Sequence, residues 1–499
     1  MTERRRLSMT AMWRKSFLGI AGLLAVAAVL AACGPDGTAV ARVVRELFTG
    51  STPLSAAAQE ELGRLETVVG TLSVPRSSNE LQTEIEHFQD AFSKVRENYV
   101  RPVDDKALLA AAIEGARAFG EAKGTGRPRD VVEAALHGML GKLDPHTIYL
   151  NARDYGDMQV VTSGRFGGLG IEVTQESGQI KVIAPIEDTP AAMAGIVTGD
   201  LITHVDSEAV EGLGLAEAVS RMRGPPGTSV RLTIRRGDQS PFVVALERAV
   251  IRTRPVKWHL EGSIGYLRVA SFNEQVASGI ERAMEELRKE SGGKLSGLIL
   301  DLRNNPGGLL DASTWLSDAF LNEGTILEVR GRNGAGARPY RATRGELAAG
   351  LPLLVLINGG SASASEIVAA ALQDLGRAQV MGVRSFGKGS VQTIYPLVHE
   401  GALKMTTQLY YTPHGKSIQA LGVLPDILVT PIEATGLRRE ADNPSALPPD
   451  HAEDGRARLE ISESDCPVRP DGDRLLGCAI LFMNAGQEQN FLSALRPAK

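Results

Sequence analysis

Hydrophobic and polar positions change rhythm several times along the chain. Leu81, Ile85, Phe88, Phe92, Val95 and Tyr99 recur at intervals of four and three, which lines one face of a helix. Ser77 and Glu80, just ahead, have capping-box spacing. Further helices are expected over 104–123 and 128–141, and the proline of "LDPHTIYL", 143–150, breaks that pattern. Residues 79–160 therefore read as a helical region, preceded over 33–78 by a tether with some helix. From 163 to 250 the rhythm shortens. "GLGIEVT", "IKVIAPI", "DLITHVD", "SVRLTIRR" and "FVVALERA" read as strands, with a helix at "GLAEAVSRMRG" between the third and fourth. From 255 to 430 apolar runs typical of strands buried on both faces appear: "GLILDLR", "LPLLVLIN" and "AQVMGV". The helical segment "SASEIVAAALQDLG" lies between the last two, so 351–383 reads as a βαβ unit. The stretch 431–499 is polar and weakly patterned.

Length and composition bound this picture. A chain of 499 residues exceeds one hydrophobic core, and domains of roughly 100–200 residues imply two to four. The net charge is −5, with Lys and Arg spread along the chain; no basic patch asks for nucleic acid. The amino terminus is different. Arg4, Arg5, Arg6, Arg14 and Lys15 precede the apolar run "FLGIAGLLAVAAVLAA", short for a membrane span and suited to an export signal. It ends in Leu30-Ala31-Ala32-Cys33, which resembles a bacterial lipobox. The expectation is a lipoprotein signal peptide over 1–32, lipidation at Cys33, and a lipid-anchored protein of the cell envelope facing the periplasm. Cys466 and Cys478 are the other two cysteines, and in an oxidising compartment they are expected to pair across a surface loop. So few cysteines leave no metal site in view.

Ligands in open α/β sheets gather outside the carboxyl ends of the strands. Two glycine-rich loops leave such ends: "NNPGG", 304–308, and "NGGSASAS", 358–365. They could supply a serine nucleophile and N–H donors for an oxyanion, or be simple turns with a helix cap. The base is the harder question. His414 in "TPHGKS" is the nearest downstream histidine. Lys388 in "SFGKGSVQ" is flanked by Gly387, Gly389 and Phe386 with no acid beside it in sequence. A lysine ordinarily titrates near ~10.4 and serves as a base only when burial brings it toward ~7–8. Gln392, four residues on, could orient the amine. From these residues alone, neither the attacking serine nor the base is decided.

Taken together, "LDPHTIYL", "DLRNNPGG", "NGGSASASEIVAAALQD", "RSFGKGSVQ" and "YYTPHGKSIQALGVLPDI" closely resemble the carboxyl-terminal processing (tail-specific) proteases over about residues 80–430. The resemblance implies an α/β, crotonase-like ββα protease core at 255–430. It further implies a β-rich PDZ domain inserted at 163–250, with the helical region before it; the C-terminal extension at 431–499 lies outside the resemblance. Carried over residue by residue, it implies Ser363 as nucleophile, Lys388 as general base and Gln392 as its support. The oxyanion donors would be the N–H of Ala364 and of Gly307 or Gly308. Ser361 and Ser365 would cap the helix and shape the loop. "FGGLGIEV" resembles a PDZ carboxylate loop, so Phe166, Gly167, Gly168, Leu169 and Gly170 are expected to hold a substrate's C-terminus. No cofactor is called for. The expected partners are proteins or peptides with exposed C-termini, with an oligomer or adaptor left open. The competing readings are a catalytically inactive PDZ scaffold and another crotonase-like acyl-handling enzyme.

Overall fold

The computed structural model describes residues 53–495, apart from 177, 187, 211, 433–437, 451–454 and 456. Cys33 and the expected signal peptide lie outside them. The chain divides into two compact units, one containing the segments up to Glu97 and Val103–Ala135, the other Asn98–Pro102 and everything from Leu136 onward.

The first unit is helical. Its elements are Ala56–Leu72, Glu80–Asn98, Asp105–Lys123 and the start of Pro128–Leu140. The expected face of the second helix is buried at Phe88, Phe92 and Val95. The helix starts at Glu80, whose carboxylate accepts the N–H of Arg76. The tether reading needs correction. Ala58, Leu65 and Val69 are buried along Ala56–Leu72. The end of that helix is tied to the turn after Lys123 by Gly126 N–H to Leu72 O at 3.0 Å and Val74 N–H to Gly126 O at 2.8 Å. This stretch is part of the helical unit because its apolar residues recur at helical spacing.

The β-rich insert follows. Ile171–Glu176, Gln179–Pro185, Leu201–Val205, Ser229–Arg235 and Phe242–Glu247 form an antiparallel sheet in that order, with Glu208–Ala209 added to the third. Leu215–Met222 is the expected helix. Ile180, Val182, Ile202, Leu232 and Ile234 fill its core. One pairing has no counterpart in the sequence reading. Arg165–Gly168 runs antiparallel to Ala249–Arg252 and brings the two ends of the insert together.

The second half is built on a seven-stranded sheet. In spatial order its strands are Val256–Glu261, Ile264–Val269, Gly297–Asp301, Leu353–Ile357, Gln379–Gly382, Ile427–Thr430 and Leu459–Ser462. The first pair is antiparallel and the rest are parallel. Leu298 and Leu300 pack under the helices Val276–Glu290, Leu310–Asp318 and Ala364–Asp374. Ile299, Leu354 and Leu356 face the other way, onto the C-terminal helices Arg474–Ala485 and Glu488–Leu495. The weakly patterned tail thus completes the sheet and covers one of its faces. Cys466 and Cys478 are joined by a disulfide, and both are buried; the surface loop expected there is an internal staple of the covering layer. A second sheet has Ala402–Tyr411 at its centre, paired on one side with Ser390–Pro396 and on the other with Ile148–Leu150 and Thr325–Arg330.

Candidate active site

Gly297–Asp301, Leu353–Ile357 and Gln379–Gly382 are adjacent and parallel, so the loops after them leave from one edge of the sheet. Those loops carry "NNPGG", "NGGSASAS" and "FGKGS".

Hydrogen bonds stitch the first two together. Ser361 Oγ donates to Leu302 O at 2.8 Å, Ser365 Oγ to Asn305 O at 2.9 Å, and Ala362 N–H to Asn305 O at 3.0 Å. Ser361 and Ser365 are therefore inter-loop ties rather than helix caps. Both hydroxyls are fully buried, where an unpaired one would be costly.

Ser363 lies between them at the start of Ala364–Asp374, with φ 54° and ψ −113°. A non-glycine residue at such a φ is strained, and strain of this kind persists only where the surroundings hold it. Gly307 explains part of the hold. A methyl group on it would lie 2.9 Å from Ser363 Cβ and 2.9 Å from Ala364 N, and its φ is 97°. The "NPGG" backbone thus passes directly against the Ser363 turn. The N–H of Gly307 donates to Asn305 Oδ1 at 2.9 Å. It is engaged inside its own loop, which leaves Gly308 as the glycine of the expected oxyanion pair.

Glu366 is the residue that sequence reasoning missed. Its carboxylate is completely buried and accepts four bonds. Ser363 N–H reaches it at 2.6 Å, Gly387 N–H at 2.7 Å, Lys388 N–H at 2.9 Å and Ser385 Oγ–H at 2.6 Å. Burial pushes its pKa up to about 7, against the pull of these donors. The Ser-x-x-Glu spacing of "SASE" was the available signal. Tyr410 adds a second link, its hydroxyl donating to Lys388 O at 2.7 Å and lying 3.2 Å from Ser363 O.

Burial holds the Lys388 ammonium down to about 8, with the positive charge of Lys404 acting in the same direction. The sequence showed no acid beside this lysine. The fold brings in three, Glu440, Asp144 and Glu366, which act the other way without overcoming burial. Gln392 is on the strand that follows. Its amide nitrogen donates to Ser390 Oγ at 2.9 Å and Thr406 Oγ1 at 3.2 Å, so its carbonyl oxygen is the atom left to serve an amine.

The "LDPH" motif supports this region from behind. Asp144 accepts from Thr406 Oγ1 at 3.0 Å, continuing the chain from Gln392. His146 Nε2 is 2.9 Å from the Glu440 carboxylate. Glu440 in turn donates its N–H to Phe386 O at 3.0 Å. His414 is on an exposed turn, 3.4 Å from Asp374.

In the insert, Phe166, Gly167 and Gly168 belong to the strand paired with Ala249–Arg252. Of the five residues expected to hold a C-terminus, only Leu169 and Gly170 form a loop, because the glycines permit strand geometry as readily as a nest.

Residues 263–429 match the family described as peptidase family S41, and residues 167–242 match the PDZ domain. Over 357 residues the chain is 47% identical to a carboxy-terminal-processing protease of Bartonella bacilliformis, covering 71% of this chain and 77% of that protein. The chain belongs to the S41 peptidases. A carboxyl-terminal-processing protease of Synechocystis is 37% identical over 312 residues, 61% of this chain and 72% of that one. Among solved structures, a photosystem II D1 C-terminal processing protease is similar at 29% identity and a TM-score of 0.42, covering 71% of this chain and 93% of its own. The protein is thus a serine-type peptidase of the carboxyl-terminal processing class, with an α/β core, a PDZ domain and a helical N-terminal region.

Proposed function

We propose that this S41 peptidase cleaves proteins near their C-termini with Ser363 as nucleophile and Lys388 as general base. Neutral Lys388 Nζ takes the Ser363 Oγ proton as Oγ attacks the peptide carbonyl. The N–H groups of Ala364 and Gly308 receive the oxyanion. The resulting ammonium returns the proton to the leaving amine, and water, deprotonated by the same lysine, releases the acyl group. Gln392 orients the amine through its carbonyl oxygen. The PDZ domain holds the substrate's terminal carboxylate at Leu169 and Gly170 while the tail adds as a strand. Cys33 carries the lipid, and the enzyme works on exported proteins at the envelope.

The observation that carries this reading is the buried lysine held near 8, whose loop shares the Glu366 carboxylate with the strained Ser363 turn. The test is cleavage of casein and of a peptide with a free apolar C-terminus by Ser363→Ala and Lys388→Ala. Both should lose activity with an unchanged melting temperature. A Lys388→Ala protein cleaving at the wild-type rate would refute the dyad.

A further inference from the structure

Two consecutive glycines, Gly307 at φ 97° and Gly308 at φ 144°, carry the proposed oxyanion donor. Glycine takes many backbone conformations at little steric cost, so a donor carried there has to be aimed by its surroundings. The carbonyl of Gly307 accepts the Phe272 N–H at 2.9 Å, and Phe272 O accepts the Leu309 N–H at 2.8 Å. The peptide between the two glycines is trans, which turns the Gly308 N–H away from Phe272. Gly308 is exposed, and among the described residues nothing accepts from its N–H. It is a directed donor without a partner in the protein, one residue from the point where Gly307 abuts Ser363 Cβ.

Phe272 holds its side of this loop with main chain. A side chain holds the other. Asn305 is fully buried. Its Oδ1 accepts the Gly307 N–H at 2.9 Å, and its Nδ2 donates to Val269 O, at the end of Ile264–Val269, at 2.8 Å. Its own carbonyl accepts Ser365 Oγ–H and Ala362 N–H from either side of Ser363. One residue thus ties the glycine pair, a strand end and the Ser363 turn together. Among the described residues no other side chain bonds to Gly307 or Gly308. An amide suits the position because one end accepts while the other donates; an alkyl group would leave the buried Gly307 N–H unpaired. We propose that Asn305 is a positioning residue of the proteolytic site, whose amide sets Gly307 so that the Gly308 N–H faces the developing oxyanion. The inference rests on Ser363 being the nucleophile and Gly308 one of its oxyanion donors.

The test separates kcat from KM in the full chain, on a fluorogenic peptide with a free apolar C-terminal tail. A peptide boronic acid serves as second probe, since its tetrahedral adduct with Ser363 Oγ carries an oxygen where the oxyanion would form. Asn305→Ala should lower kcat about a hundredfold and weaken the boronate by about the same factor, with KM changed less than about threefold. Asn305→Asp, which keeps an oxygen facing the Gly307 N–H, should recover most of that loss. Binding of the peptide to Asn305→Ala in a Ser363→Ala background should match that to Ser363→Ala alone. If the Ala variant does not fold, Asn305→Ser reads the same split. Losses of equal size in kcat and in peptide affinity, or an unchanged boronate affinity, overturn the proposal, because a merely structural tie would move binding and turnover together. Inactive Ser363→Ala beside an Asn305→Ala protein with wild-type kcat would sink this inference and leave the nucleophile standing. Active Ser363→Ala would remove the nucleophile itself.

Discussion

Ser363 and Lys388 donate their backbone N–H groups to one and the same oxygen, Oε2 of Glu366, at 2.6 and 2.9 Å. Twenty-five residues apart in sequence, they are thus held in register by main chain, independently of where their side chains go. Oε1 of the same carboxylate holds Gly387 N–H and the Ser385 hydroxyl. The strained serine turn and the lysine loop are two ends of one clamp.

Glu366→Gln should break that clamp. Four donors point at the carboxylate, and an amide offers one accepting oxygen while adding two donors of its own. The expected result is a loss of ~1–3 kcal/mol in stability from unpaired buried groups. A fall in kcat of about 100-fold should accompany it from misplaced reacting atoms. Thermal unfolding and peptide hydrolysis measure the two separately.

Activity should rise with pH. On the proposed mechanism Lys388 must be neutral to accept a proton, and its pKa is lowered to about 8. Below that value kcat/KM should fall about tenfold per pH unit, and above it should level off. The profile of His414→Ala should overlay that of the wild type; loss of the step in that variant would assign it to the histidine instead.

Gly307→Ala places a methyl 2.9 Å from both Ser363 Cβ and Ala364 N, at φ 97°. Relief requires moving the "NPGG" loop, the proposed oxyanion loop, away from Ser363. We expect kcat to drop ~100-fold or more, with KM for a peptide much less affected. An active alanine variant would show that the loop does not contact the reacting carbonyl.

Amidating the C-terminus of a peptide substrate removes the charge that the PDZ domain would bind. Hydrogen bonds to charged groups are worth ~1.5–3 kcal/mol, so kcat/KM should fall about tenfold to a hundredfold. Gly170→Ala should erase the difference between the two peptides, since a methyl there would meet the Thr189 side chain at 2.3 Å. Equal cleavage of free-acid and amidated peptides by the wild type would exclude carboxylate selection.

Removing the disulfide tests the role of the tail. Cys466 and Cys478 are 12 residues apart, a short loop whose closure is worth about 2–3 kcal/mol. The double Ser variant should unfold several degrees lower, by calorimetry, than the oxidised protein.

The sequence made parts of this fold legible and hid others for physical reasons. The βαβ unit stood out because Leu353–Ile357 is apolar at every position and fully buried, and the alanine-rich stretch after it suits only a helix. Leu459–Ser462 was invisible. Four residues with two apolar side chains become a strand only when the edge at Ile427–Thr430 is already there to pair with. Phe166, Gly167 and Gly168 looked like part of a nest because composition does not record a partner strand. Ser363 could be singled out only through resemblance, since its left-handed φ is set by loops from elsewhere in the chain. The acids and the second lysine around Lys388 stand at 144, 366, 404 and 440, and no local window contains more than one of them.

That dispersal bears on when the protein becomes dangerous. A lysine in an unstructured chain titrates near ~10.4, so at pH 7 about one in 2,500 is unprotonated; at a pKa of about 8 the share is near one in ten. The environment responsible for the difference is complete only when stretches hundreds of residues apart have met. If Lys388 is the base proposed above, a newly made and still unfolded copy carries it in the protonated, inactive form. On that mechanism the capacity to cut depends on the packing of segments far apart in sequence, so an unfolded copy would not yet cut its sister chains.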